Sequence, residues 1–186
     1  IEYFNQTPVA QFMEPLVEAD DVISYIKNSS MFEEWQKVIV SADKDFIQLL
    51  DDRTILHRPI QKEYLNKNGV VEKFGIHPIN FALARAIVGD SSDNLPGVPR
   101  VGLGTVSKRF PFLREEKSYF LLDVLEACET PENQKLKVYK NVKDSQTLIK
   151  SNYDIMQLSS PMLSIQSKQG IDDTLENFEP HYNQTE

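Results

Sequence analysis

A single cysteine, Cys128, in 186 residues excludes an intrachain disulfide framework and a cysteine-rich zinc site. Its default role is that of a small buried hydrophobe. Histidine is scarce too: His57, His77 and His181 are the only three. None lies near the acidic groups described below, so nothing suggests zinc, and all three read as surface or internally satisfied side chains. No apolar run approaches the ~18 residues needed to cross a bilayer. No signal-peptide pattern opens the chain. A cytosolic protein without a membrane partner is the resulting expectation. Basic residues are outnumbered, 20 Lys+Arg against 28 Asp+Glu, with a net charge of −8 and a pI near 5.0. That argues against a broad basic surface coating nucleic acid. Internal repeats and low-complexity runs are absent. So is an initiating Met: the chain opens on Ile1 in mid-pattern, as a processed chain or interior fragment would.

What is present supports a packed core. The chain is 40% hydrophobic, a size and composition for one domain or two small ones. A helix is predicted to run through VISYIKN (22–28) from an acidic start. KVIVSA (37–42) is short, β-branched and apolar on both faces, as a doubly buried parallel strand reads. DFIQLL (45–50) resumes helical spacing, and TILHRP (54–59) reads as a second strand stopped by Pro59. Asn68-Gly69 reads as a turn. HPINFALARAIVGD is a helix with Pro78 near its first turn and Gly89 at its end. Helices dominate from there to about Pro161, and the tail is acidic and weakly periodic. Trp35 and Phe32 read as core. The class is therefore α/β, with a sheet whose opening strands are expected upstream of Ile1.

The acids are not spread evenly. Glu18, Asp20 and Asp21 crowd into EADD; Asp43 and Asp45 follow directly on KVIVSA; Asp90 and Asp93 end the next helix in VGDSSDN. Removing these seven would take the net charge from −8 to −1, so much of the acidity is local. Capping alone would account for one or two acids at a helix start. In open α/β sheets, sites form beyond the carboxyl ends of strands, and carboxylate groups suit hard cations such as Mg²⁺ or Mn²⁺. DKD is not an EF-hand loop, because Phe46, Ile47 and Gln48 follow where a central Gly and further ligands are needed. Nor does it match the Asp-x-Asp of aspartyl-phosphate phosphatases, which carry Thr where Ile47 stands.

Four residues after Asp93 comes a glycine-rich stretch, GVPRVGLGTVSKRF, holding Gly97, Gly102 and Gly104 ahead of Lys108 and Arg109. Read by itself it is an ordinary helix–loop–helix turn. Tied to an acid cluster it reads as a phosphate-gripping loop.

The order EADD, SADKDF after a strand, VGDSSDNLPGV and GVPRVGLGTV resembles the 5′-nuclease superfamily: flap endonucleases, phage 5′→3′ exonucleases and the 5′-nuclease domain of DNA polymerase I. The phage-type enzymes look closest. The resemblance covers roughly residues 10–115. It implies the C-terminal part of a PIN-like parallel-sheet nuclease core (1–58), followed by a mainly helical region (59–186) with a DNA-binding helix–three-turn–helix at about 78–110. It implies two Mg²⁺ or Mn²⁺ ions: Glu18, Asp20 and Asp21 would serve the first, and Asp43, Asp45, Asp90 and Asp93 the second. Duplex DNA would be gripped by Gly97, Arg100, Gly102, Gly104, Thr105, Lys108 and Arg109, with a K⁺ ion on the backbone carbonyls of the hairpin. Gly104 stands where the family commonly has a Lys, so the cationic duty passes to Arg100, Lys108 and Arg109.

The implied activity is metal-dependent 5′→3′ exonuclease and flap endonuclease hydrolysis by a two-metal mechanism. Its partners would be DNA with 5′ ends or flaps, RNA–DNA hybrids and replication proteins, and the setting the cytoplasm (a host's, for a phage protein). The protein is expected to be a monomer. The family's first-strand aspartate, another after a later strand, and the helical arch have no counterpart here. The alternative is accordingly a non-catalytic module that binds DNA structure. On either reading the isolated chain is expected to be catalytically deficient and weakly folded over its first ~55 residues. Lysines 135, 137, 140, 143 and 150 read as a solvated helix face.

Overall fold

The computed structural model describes residues 7–13 and 17–180. They belong to two compact units, Ile1–Glu33 with Pro161–Glu186, and Glu34–Ser160. His181 and the end of the acidic tail lie outside the described residues.

The second unit is built on a three-stranded sheet in the order β1 (Lys37–Val40), β2 (Thr54–Arg58), β3 (Glu63–Leu65). β1 runs parallel to β2, with Val38 opposite Ile55 and Val40 opposite His57; β3 is antiparallel to β2, with Tyr64 opposite His57. Side chains alternate across the pleat. Ile39, Leu56 and Leu65 are buried on one face. On the other, Val38 and Val40 are 52% and 64% exposed, and Tyr64 stacks on His57 with ring centroids 4.2 Å apart. β1 is thus not doubly buried. Its apolar content on both faces was the sequence signal, and in this chain only one face has a covering layer. Trp35, expected in the core, is 63% exposed.

β3 was not legible, since EYL is too short to show alternation. Lys62 turns the chain into it at φ 51°. The Asn68-Gly69 turn is replaced by a helix, α2 (Lys67–Phe74). The capping signal there is Asn66, whose side chain accepts from Gly69 N at 2.8 Å, and Gly75 closes the helix at φ 66°. DFIQLL becomes a 3₁₀ turn, Asp45–Leu49, which buries Phe46, Ile47 and Leu49.

After α1 (Ala19–Asn28) and α2 come α3 (Phe81–Val88), α4 (Leu103–Arg109), α5 (Leu121–Cys128), α6 (Lys137–Asp144), α7 (Gln146–Met156) and α8 (Ile165–Glu176). Every residue of α3 from Phe81 to Ile87 is buried, Arg85 included. Asn80 precedes it and donates from Nδ2 to the carbonyls of Leu113 and Lys117, at 3.1 and 2.9 Å. Asn152 on α7, also buried, donates to Ala86 O at 3.0 Å and to Pro96 O at 2.9 Å. One amide thereby ties α7 both to α3 and to the acidic loop that follows it. Cys128 is buried and its thiol is pushed up to about 11, chiefly by burial, which leaves it unreactive.

In the first unit α1 and α8 meet through Tyr25, whose hydroxyl donates to Asp172 Oδ2 at 2.8 Å. Ser164 caps α8 by accepting from Ser167 N at 3.0 Å. No helix among the described residues is long and apolar enough to cross a membrane.

Candidate metal centre

The carboxyl end of β1 delivers Asp43 to a cleft of about 1150 Å³, with Asp45 two residues further on. The local chain is held by short-range bonds. Ser41 Oγ accepts from Asp43 N at 3.1 Å, and Asp43 Oδ1 accepts from Asp45 N at 2.8 Å. Asp43 is exposed, whereas Asp45 is half-buried at the start of the 3₁₀ turn.

The opposite wall is the loop after α3. Gly89 leaves the helix at φ 77°. Asp90 and Leu95 exchange backbone hydrogen bonds, Asp90 N to Leu95 O at 2.8 Å and Leu95 N to Asp90 O at 2.7 Å. Gly97 lies so close to α3 that a Cβ there would run into the backbone of Val88. This closed loop places one carboxylate oxygen each of Asp45, Asp90 and Asp93 within 4.8 Å of one another. Arg58, on β2, also lines the cleft; its guanidinium donates to Ala42 O at 2.9 Å.

Between the walls stands a side chain that the sequence reading passed over. Arg85, 8% exposed, donates from Nε to Asp45 Oδ1 at 3.0 Å and pairs through its second terminal nitrogen with Asp90 Oδ2. A lone Arg inside the apolar run FALARAIV was the available signal. A buried cation needs buried anions beside it.

Ionisation differs across the pair. Burial raises the Asp45 carboxyl, opposed by the Arg85 guanidinium. Asp90 is lowered from 3.8 to about 2, first because the Ser92 hydroxyl donates to it, with Ser92 N (2.8 Å) and Arg85 adding to the effect. The stabilisation due to ionised Asp90 is therefore complete above its ordinary value and is lost as pH falls toward about 2. Asp45 has the opposite sign: its protonated form is favoured by folding, a contribution lost as pH rises through its raised value. Urea midpoints taken from pH 5 to pH 2 are expected to show the gap between parent and Asp90→Asn shrinking below ~pH 4.

The remaining expected residues fall elsewhere. Glu18, Asp20 and Asp21 belong to the first unit. Glu18 occupies the N-cap of α1 but its side chain makes no capping bond; Asp20 and Asp21 lie in the first turn. Asp21 Oδ1 accepts from Met162 N at 3.2 Å. Past the acidic loop, Arg100 adopts φ 64°. Gly102 caps α4, and a Cβ at Gly102 or Gly104 would meet nothing within 4 Å. Thr105 is half-buried, Lys108 is exposed and Arg109 is half-buried along α4.

A mixed α/β chain with acids gathered past a strand end can be compared with known proteins. The family described as "5′-3′ exonuclease, N-terminal resolvase-like domain" matches residues 2–75. A 5′-3′ exonuclease of Buchnera aphidicola is 40% identical over 89 residues, 48% of this chain and 31% of that protein. A thermostable DNA polymerase I of Thermus thermophilus is 35% identical over 131 residues, 70% of this chain and 15% of that one. Among solved structures, bacteriophage T5 5′-exonuclease with bound zinc gives a TM-score of 0.72 at 22% identity, covering 90% of this chain and 62% of the phage chain. A T5 flap endonuclease in a product complex with DNA and metal ions gives 0.72 at 21% identity, covering 89% of this chain and 61% of that one. The structural likeness defines the class: a mixed α/β fold of the 5′-exonuclease type. In sequence, the chain is similar over part of its length to 5′-3′ exonucleases and to DNA polymerase I, and its residues 2–75 match the exonuclease family. It spans about a third of the Buchnera exonuclease and under two thirds of the T5 chain.

Proposed function

We propose that this chain carries part of a metal-dependent 5′→3′ nuclease that hydrolyses phosphodiesters at 5′ ends and flaps of DNA. The convergence of Asp45, Asp90 and Asp93 carries this reading. The donors are carboxylate oxygens without nitrogen or sulfur, which suits Mg²⁺ or Mn²⁺. When bound, such ions supply charge stabilisation to the attacking and leaving oxygens of a phosphodiester. The protein's own part is to hold. Asp45 and Asp90 are both held by Arg85, Asp93 adds an exposed third carboxylate, and Asp43, Asp90 and Asp93 line the cleft. Glu18, Asp20 and Asp21 are proposed to serve the first of two ions and the Asp43, Asp45, Asp90 and Asp93 group the second, as their place in the family's motif order implies.

The stretch Gly97–Arg109 is proposed to hold duplex phosphates without reading bases. Open space at Gly102 and Gly104 lets a phosphate approach the backbone, and Arg100, Lys108 and Arg109 supply charge. Lys108→Ala is expected to weaken binding about equally across sequences and to lower the slope of log affinity against log salt by about one. A sequence preference that disappears with this substitution would contradict the assignment. The reading as a whole is tested by cleavage of a 5′-labelled flap duplex by the natural polypeptide that contains this chain, with Mg²⁺ and with EDTA. Structure-selective DNA binding without cleavage in either would favour a non-catalytic module.

A further inference from the structure

We propose that Arg85 is a resident counter-cation of the acid cluster. In the metal-free protein its guanidinium neutralises and positions Asp45 and Asp90, and a divalent cation binding there takes over that charge. The inference rests on the metal reading above and adds a positioning residue that the acid motifs do not contain.

Three observations carry it. Arg85 is buried among the apolar residues of α3, where an unpaired guanidinium would be strongly disfavoured. Its donors fork to two carboxylates, Nε to Asp45 Oδ1 at 3.0 Å and a terminal nitrogen to Asp90 Oδ2, so one group joins residues 40 and 5 positions away. The bonds are also selective. Each takes one oxygen of its carboxylate, Ser92 N takes Asp90 Oδ1 at 2.8 Å, and Asp93 is left unengaged among the described residues. Three converging carboxylates without a cation would repel one another. Arg85 supplies a cation from within the chain to two of the three.

The same charge opposes the metal. A guanidinium bonded to two ligand carboxylates repels an incoming cation and shares the negative charge that would hold it. Thermodynamic reciprocity then fixes a sign: removing Arg85 must destabilise the metal-free protein more than the metal-bound one, and tighten metal binding to match. A side chain that only supports the fold would lower stability without tightening metal binding.

The test is a Mn²⁺ titration of the natural polypeptide that contains this chain at neutral pH, followed by electron paramagnetic resonance of free Mn²⁺, beside urea unfolding in EDTA. Arg85→Gln is expected to lower the urea midpoint and to tighten Mn²⁺ binding by about tenfold or more. Arg85→Lys, whose point charge cannot fork to both carboxylates, is expected to fall between. Unchanged or weaker Mn²⁺ binding by Arg85→Gln, with the parent binding, would overturn the inference and leave the metal reading intact. If Arg85→Gln does not fold, Arg85→Lys decides, and an affinity equal to the parent's overturns the proposal. A parent chain that binds no Mn²⁺ refutes the metal reading for this chain, and the counter-cation role falls with it.

Discussion

Asp93→Asn is expected to cost the proposed 5′-nuclease activity at least ~10²-fold while moving the thermal midpoint by no more than about 2 °C. The two effects separate because of where Asp93 sits. It is the exposed member of the trio and takes no hydrogen bond among the described residues. Its replacement by an isosteric amide removes a charge from the proposed metal cluster and little from the fold. Asp90→Asn provides the contrast. Asp90 pairs with buried Arg85 and accepts from Ser92, so losing its charge leaves a buried guanidinium half-compensated. That variant is expected to lose both activity and several degrees of midpoint. Steady-state cleavage of a labelled flap, with calorimetry on the same samples, reads both quantities. Asp93→Asn turning over at the parent's rate would remove Asp93 from the site.

Gly97→Ala is expected to be the most damaging substitution that changes no charge. Its Cβ would overlap the carbonyl group of Val88 and approach Gly89 N at 2.8 Å, and these are backbone atoms. A flexible side chain could swing aside; the end of α3 cannot. Val98 N bonds to Ile87 O at 2.8 Å, so the two segments are also stitched together on the far side of the contact. The loop must lift off α3, which pulls Pro96 from Asn152 and disturbs the closed turn holding Asp90. A loss of about 3 kcal/mol or more in urea unfolding is expected, with Mn²⁺ binding impaired in whatever fraction remains folded. Gly104→Ala, where a Cβ meets open space inside α4, is the control and is expected to be neutral or slightly stabilising for the fold.

These contrasts show what the sequence could and could not reveal. Asp45 stands out in the sequence because it closely follows a β-branched run, and strand ends are where α/β sites form; Asp43, read with it, is outside the trio that converges. Asp90 and Asp93 were legible through their place between a helix end and a glycine-rich loop. The residue joining the two groups was not. Arg85 is separated from Asp45 by 40 residues, and nothing local distinguishes an Arg that bridges two carboxylates from one that snorkels to the surface. Burial of β1 was misjudged for a related reason. The pattern of KVIV reports that both faces are apolar, while Val38 and Val40 remain exposed in this chain because burial depends on what is packed there. Gly69 was misread because Gly is ambiguous alone; the capping geometry of Asn66 decides for a helix. The role of Gly97 in loop packing was hidden behind its more obvious reading as a phosphate contact.

These acids are proposed to hold divalent ions for phosphodiester hydrolysis. The most direct measurement is single-turnover cleavage of a 5′-labelled flap duplex by the natural polypeptide containing this chain, comparing the parent with Asp45→Asn across Mg²⁺ concentrations and in EDTA. The predicted result is Mg²⁺-dependent release of the flap by the parent, none in EDTA, and a rate at least ~10²-fold lower for Asp45→Asn at every Mg²⁺ concentration. Cleavage that persists in EDTA, or an Asp45→Asn variant as fast as the parent, would contradict it.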